Sequence, residues 1–414
     1  MTAMRSGTFG LLTVALAVGC GSSSDGGSNI ELGGAGGQAS AGAGATLQFG
    51  GGGAKGGASG AGATAGNGSA AQAGAGGSST SGGAGTNGSA GAAGAGSGMC
   101  PDRPQIYCNG ACLKTVGETQ GACTALLLET TQTSSVAVDD SHLYFCHGNI
   151  SVDRMNLTTL ATNELVKNLK FPRNFIVDGA TLFFSTDWTA GATGADLFKG
   201  TLQRVPKAGG AATLLAQGVD RLNDLTLAAG TLYFTVGFPQ RGLYSEPATG
   251  PSPVPYGGAV GAGLRSTLVD SGVAYYTGES AETVSATPLS DVSKATLLST
   301  TPDARLHASD ATYLYLTQQV AEKTQYARLK KSGGTPEPLA TGPAQLQFKY
   351  RDGDNLYFVG ASSATEEQLL GIPLGGGTFK VLATFELNQV NSVTASATHL
   401  YVGTDFNGIV RVKK

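Results

Sequence analysis

An eight-residue pattern recurs seven times between Val138 and Val402, and it constrains the fold more than any other feature of the chain. The copies are VDDSHLYF from Val138, VDGATLFF from Val177, LAAGTLYF from Leu227, VDSGVAYY from Val269, SDATYLYL from Ser309, RDGDNLYF from Arg351 and ASATHLYV from Ala395. Its leucine position falls at 143, 182, 232, 274 (alanine here), 314, 356 and 400, at intervals of 39 to 50 residues. A fixed period of this length marks a repeat architecture, in which each unit buries its apolar face against its neighbours.

Each unit reads as four short strands. Alternating apolar residues precede the shared Asp, and the Leu-aromatic strand follows it. A third strand ends in a turn such as VPKAGG from Val205, LKKSGG from Leu329 or IPLGGG from Ile372. A fourth reads LLAQ from Leu214, LLST from Leu297, PLAT from Pro338 or VLAT from Val381. Four strands per unit predict an all-β chain with a seven-bladed β-propeller over 124–414. Asp occupies the first hairpin in five of the seven copies, where its carboxylate bonds backbone N–H groups two residues on. That column is read as structural.

The seventh unit ends in its third strand at Val412-Lys413-Lys414. ALLLETT from Ala125 matches ATLLSTT from Ala295, so residues 124–130 are expected to supply the missing outer strand and close the ring. The repeat style resembles the YWTD-like and TolB-like propellers, and Phe184-Ser185-Thr186-Asp187-Trp188 is similar to their Y-W-T-D step. The resemblance covers residues 124–414 and implies a propeller without prescribing a ligand.

The amino end reads as an export signal. Arg5 precedes an apolar stretch, Gly7–Val18, too short to span a bilayer. Ala17-Val18-Gly19-Cys20 resembles the lipobox of bacterial lipoproteins. By that resemblance residues 1–19 are removed and Cys20 carries the lipid. Gly21 in place of Asp then favours the outer membrane. Residues 20–98 follow as a tether: 30 of the 78 residues in 21–98 are glycine, and the only charges are Asp25, Glu31 and Lys55. Such a composition cannot bury enough apolar surface to offset chain entropy. The expected attachment is through the lipid alone.

Cys100, Cys108, Cys112 and Cys123 fall within residues 99–123 and look like a small Cys-rich module of the kind set ahead of propellers in exported bacterial proteins. Disulfides are expected in an oxidising compartment, with three connectivities open. Cys146 is left as a buried thiol or as a partner for one of them.

Residues 99–414 carry 24 Lys+Arg against 27 Asp+Glu with no basic run, which argues against nucleic-acid binding. Nine positions before the repeat's leucine stand Ser134, Arg173, Asn223, Arg265, Arg305, Gln347 and Asn391, all polar and three of them Arg. This column is expected at the start of each innermost strand, at the mouth of the central channel. The loops on the same face include Asp187–Gly200 and Ala361–Glu367, and function gathers on such loops. Arg offers a planar donor fork for carboxylate, sulfate or phosphate. His142, Cys146 and His147 lie close in sequence, but His142 falls at a variable turn position, so no metal or cofactor is expected. No hydrolase, zincin or Walker-type motif occurs. The reading is a monomeric, noncatalytic propeller that binds an anionic glycan, a small acid or a protein. A propeller hydrolase or lyase, which would need acids or His converging at the mouth, and a docking disc are the alternatives.

Overall fold

The computed structural model describes residues 16–18 (backbone), 100, 104–186, 200–219, 222–236, 242–250, 254–256, 264–278, 282–291, 293–343, 345–405 and 407–414. Cys20, the 20–98 segment, and Asp187 and Trp188 lie outside the described residues. Among the described residues every regular element is a β-strand. They form a seven-bladed propeller of four-stranded antiparallel blades.

Blade 1 comprises Val136–Val138, His142–His147, Ser151–Asn156 and Thr162–Val166. Blade 2 comprises Pro172–Asp178, Thr181–Thr186, Thr201–Pro206 and Thr213–Gln217. Blade 3 runs from Leu222–Ala228 to Val254–Tyr256, blade 4 from Leu264–Asp270 to Thr296–Thr300 and blade 5 from Arg305–Ser309 to Glu337–Thr341. Blade 6 runs from Gln347–Asp352 to Lys380–Glu386. Blade 7 takes Val390–Ala395, His399–Thr404 and Gly408–Lys413 from the carboxyl end, and Cys123–Leu128 from far earlier in the chain. That closing strand pairs antiparallel with the last one through Leu128↔Gly408, Leu127↔Ile409, Ala125↔Val410 and Cys123↔Val412. The repeat mismatch at the carboxyl end is thus resolved as expected, with the strand beginning at Cys123.

The repeat's leucine, or the alanine that stands for it in blade 4, is fully buried in every blade, and the aromatics that follow it pack between sheets. Leu182 with Phe184 fills the cluster between blades 1 and 2, and Leu356 with Phe358 the one between blades 5 and 6. The Asp turns behave as the hairpin chemistry requires. Asp139 Oδ1 accepts from Ser141 N and His142 N at 2.9 and 2.8 Å, and Asp310 Oδ1 from Thr312 N and Tyr313 N at 2.7 Å each. On this face lysines tie adjacent blades together. Lys207 reaches Asp139 at 2.7 Å, Lys331 reaches Asp270 at 2.5 Å, and Lys414 reaches Asp352. Burial alone would raise the Asp139 carboxyl, but the Lys207 ammonium, two backbone N–H groups and the Tyr144 hydroxyl together hold it well below the carboxylate range.

The cysteines pair as Cys100–Cys112 and Cys108–Cys123, leaving Cys146 as a buried thiol. Their segment forms a hairpin, Ile106–Cys108 with Ala111–Leu113. Asn109 N donates to Thr384 O at 2.9 Å and Thr384 N to Asn109 Oδ1 at 3.0 Å, which covers the outer edge of blade 6. Ile106, Cys108 and Leu113 share one core with residues of blades 6 and 7.

The free edges of the innermost strands face the propeller axis. A short strand, Leu16–Val18, lies there between opposite blades. It pairs with blade 3 through Leu16↔Thr226, Ala17↔Leu225 and Val18↔Asp224, and with blade 6 through Ala17↔Tyr350.

Candidate functional site

The innermost strands begin on the face that also carries the loops between second and third strands. Near that end six of the seven show a shift of register. The shifts lie between Arg173 and Ile176, Leu222 and Leu225, Leu264 and Ser266, Leu306 and Ala308, Phe348 and Tyr350, and Val390 and Ser392. A bulge leaves a residue unpaired and re-aims its side chain. Here polar side chains at or beside the bulges reach the innermost strand of the next blade.

Asn174 Nδ2 donates to Ser185 Oγ in its own blade and to Leu222 O in blade 3, both at 3.0 Å. Asp224 Oδ2 accepts from Thr267 N of blade 4 at 2.9 Å. Ser266 Oγ accepts from Leu306 N of blade 5 at 2.8 Å. His307 bonds Thr317 at 2.8 Å and stacks on Phe348 of blade 6 with ring centroids 4.6 Å apart. Lys349 Nζ donates to Val390 O and Asn391 O of blade 7 at 3.1 and 3.2 Å. Successive blades are therefore stitched together around the axis. The stitches satisfy polar groups that lie in the ring's interior, where an unmet backbone group is costly.

The seven candidate residues do not share one environment. Ser134 is buried and donates to Asn149 Oδ1 at 3.1 Å. Asn391 is buried, and its carbonyl receives Lys349. Arg173 is half-buried, its guanidinium 5.9 Å from the Phe171 ring centroid. Arg305 and Gln347 are exposed at the first positions of their strands. Asn223 and Arg265 lie on the innermost strands of blades 3 and 4, and their side chains are outside the described residues.

The candidate column contains no acid, but the structure brings one beside it. Asp224 is only half-buried by accessible surface, yet its carboxyl sits deep in the ring. Burial pushes it up to about 7, against the Thr267 N–H, the Arg305 charge and the Thr235 hydroxyl. Burial, and then the Arg305 charge, push the neighbouring His307 down to about 3, so its ring is neutral. Asp224, His307 and Lys349 were not in the candidate column. The signal for them was polar residues interrupting an otherwise apolar strand one or two places further along.

His142, Cys146 and His147 do not converge. His142 sits in the turn at the other end of its strand, with Nδ1 2.7 Å from Ser141 Oγ. Burial pushes the Cys146 thiol up, against hydrogen bonds from Ser134 and Asn149. Among the described residues no group of three or more His, Cys, Asp or Glu is arranged to hold a metal ion. His147 instead meets Glu129 and Asp153, a cluster absent from the sequence reading because Glu129 belongs to the connection after the closing strand.

No family model and no curated protein matches this chain. Solved structures do. A streptogramin B lyase is similar over 75% of this chain and 98% of its own, at 12% identity and a TM-score of 0.50. YCF48 bound to a D1 peptide is similar over 73% and 98%, at 12% identity and a TM-score of 0.49. PorZ, a surface component of the type-IX secretion system of Porphyromonas gingivalis, is similar over 70% of this chain and 37% of its own, at 14% identity and a TM-score of 0.46. At 12% identity the likeness to the lyase shows the β-propeller fold and nothing finer.

Proposed function

We propose that the chain is an exported lipoprotein whose propeller binds an anionic group at its channel mouth without catalysing a reaction. The observation that carries this reading is a division of labour among the polar residues of the innermost strands. Asn174, Asp224, Ser266, His307 and Lys349 are engaged in stitching blades. Arg173, Arg305 and Gln347, one to two places nearer the strand starts, keep accessible surface. Fields from arginines set around one ring overlap near its axis, so a local positive mouth can exist on a chain of net charge −3. Asp224 offsets only part of that charge, because burial favours its neutral form.

Lipidation at Cys20 follows from the lipobox resemblance. Cleavage before Cys20 would also remove Leu16–Val18 from between blades 3 and 6 and open the channel. The large apolar side chains exposed among the described residues, Val116, Ile150, Leu214, Leu297, Val320 and Val381, are spread singly over the cysteine segment and five blades, so the mouth is the better-supported binding surface. The test is a thermal-shift screen of the mature protein against sulfated and uronic-acid glycans and small dicarboxylates. It is repeated on the variant carrying Arg173→Gln, Arg265→Gln and Arg305→Gln. An anion-induced rise in melting temperature that the triple variant loses is expected. A rise of the same size in both proteins overturns the proposal.

A further inference from the structure

Glu129 follows the strand that closes blade 7, and His147 ends the second strand of blade 1. The His147 imidazole stands between two acids. Its Nε2 is 3.1 Å from Glu129 Oε2, and its Nδ1 is 3.0 Å from Asp153 Oδ2. A neutral imidazole donates from one nitrogen and therefore serves one of these carboxylates, whereas the imidazolium donates to both. The acids are held from behind. Thr133 Oγ1 donates to Glu129 Oε1 at 2.9 Å, and Ser151 Oγ to Asp153 Oδ1 at 2.7 Å. The acid side chains are each 11% exposed and the imidazole 43%, so the ring exchanges protons with solvent while the acids cannot turn away to water.

We propose that Glu129, His147 and Asp153 form an acid-strengthened lock, which fastens the connection 129–135 to blade 1 more firmly in mildly acidic than in alkaline surroundings. This connection carries the chain from the closing strand of blade 7 to the innermost strand of blade 1. Backbone hydrogen bonds seat it on both neighbours: Gly148 N to Gln132 O at 3.1 Å and Cys146 N to Ser135 O at 3.0 Å on blade 1, and Thr133 N to Thr404 O at 3.2 Å and Glu129 N to Asn407 O at 3.3 Å on blade 7. The charged groups acting on the ring are Glu129 from the connection, Asp153 from the third strand of blade 1 and Glu164 from the fourth. Phe145 packs alongside with ring centroids 6.3 Å apart.

Burial by itself would lower the His147 imidazole, but the Asp153 hydrogen bond and the charges of Glu129, Asp153 and Glu164 outweigh it and hold it above its ordinary value. Burial raises Glu129, against the His147 charge and the hydrogen bond from Thr133. Both groups bind protons more tightly in the folded state. The His147 contribution is full below its unfolded pKa, about 6.5, and is lost as pH rises through the raised folded value. Glu129 acts with the same sign at lower pH, from about 4.3 upward.

The test is hydrogen exchange of the Thr133, Cys146 and Gly148 amides in the full chain, from about pH 5.5 to about pH 8.5, corrected for intrinsic rates. Wild type is expected to show protection that falls on the alkaline side by up to about tenfold per unit of raised pKa. His147→Gln and Glu129→Gln should each flatten that fall while amides of the distant blades 4 and 5 stay protected. An NMR titration of the wild-type imidazole serves independently of either variant. A ring titrating at or below the ordinary histidine value, or a fall in protection that survives in His147→Gln, overturns the proposal.

Discussion

Replacing Lys331 by Met removes a charge from the seam between blades 4 and 5 and leaves most of the side-chain stem in place. Lys331 Nζ lies 2.5 Å from Asp270 Oδ2 and 5.6 Å from the Tyr275 ring centroid. Lysine and aspartate side chains are 17% and 28% exposed, so the pair is neither a solvated surface bridge nor a fully dry one. A surface pair contributes about 0–1 kcal/mol, and breaking a fully buried one costs about 3–5 kcal/mol. In Lys331→Met the Asp270 carboxylate keeps hydroxyl donors from Ser309 at 2.7 Å and Ser271 at 2.8 Å, which limits the loss. The expected destabilisation is about 1–2 kcal/mol, between those bounds. Burial alone would raise Asp270, but Lys331, Ser309 and Ser271 outweigh it and depress the carboxyl. Its contribution is therefore present above the unfolded value of about 3.9 and is lost as pH falls through the folded one. Equilibrium denaturation of Lys331→Met, Asp270→Asn and the double variant measures the coupling directly. Losses that add without coupling, or a Lys331→Met protein within about 0.5 kcal/mol of wild type at neutral pH, would refute the reasoning.

A chain beginning at residue 99 should melt with the chain that begins at Cys20, whereas one beginning at 124 should melt well below both. Ile106 and Leu113 are 0% and 1% exposed in the core of blades 6 and 7, and large core truncations cost about 2–5 kcal/mol each. Changing Cys108 and Cys123 together to Ser opens a link spanning 15 residues and should lower stability by about 2–4 kcal/mol, read as a shift in the denaturant midpoint. Gly333→Ala should destabilise more than Gly110→Ala. Both glycines have positive φ, +90° and +84°, but a Cβ at Gly333 meets Leu298 O at 2.9 Å, and one at Gly110 meets nothing within 4 Å. Cys20→Ala should release the protein from membranes into the aqueous phase on detergent partition, and retention in the detergent phase would contradict lipidation there.

The fold was readable because the repeat reports on the side chains that do the same work in every blade. Leu143, Leu182, Leu232, Leu314, Leu356 and Leu400 each fill the gap between adjacent sheets, and burial tolerates little variation there. The hairpin Asp is similarly legible, because Asp139 and Asp310 serve the same backbone geometry. The cysteine hairpin was less so: its spacing identified disulfides, but docking on blade 6 depends on Asn109 meeting Thr384, a pairing between residues far apart in the chain.

The mouth resists the same method, for a reason visible in the registers. Counting nine residues back from the leucine assumes that every innermost strand keeps one phase, and the bulges break it. In blades 4 and 7 the shift falls on the counted position itself, at Arg265 and Asn391. In blades 5 and 6 it falls two residues later, at His307 and Lys349, while Arg305 and Gln347 stay in ladder register with Thr317 and Val359. A single column therefore mixes residues re-aimed by a bulge with residues still in the sheet. The outcome follows local phase. Asn391 is drawn into a buried environment, whereas Arg305 and Gln347 remain at the surface. What distinguishes a stitch from a mouth residue is thus its position relative to its own blade's bulge. The side chains that reach a backbone group of the next blade lie at or next to the bulge. Asn174, Asp224, Ser266 and Lys349 make that reach with four different functional groups, so no one residue type could have marked the pattern in the sequence.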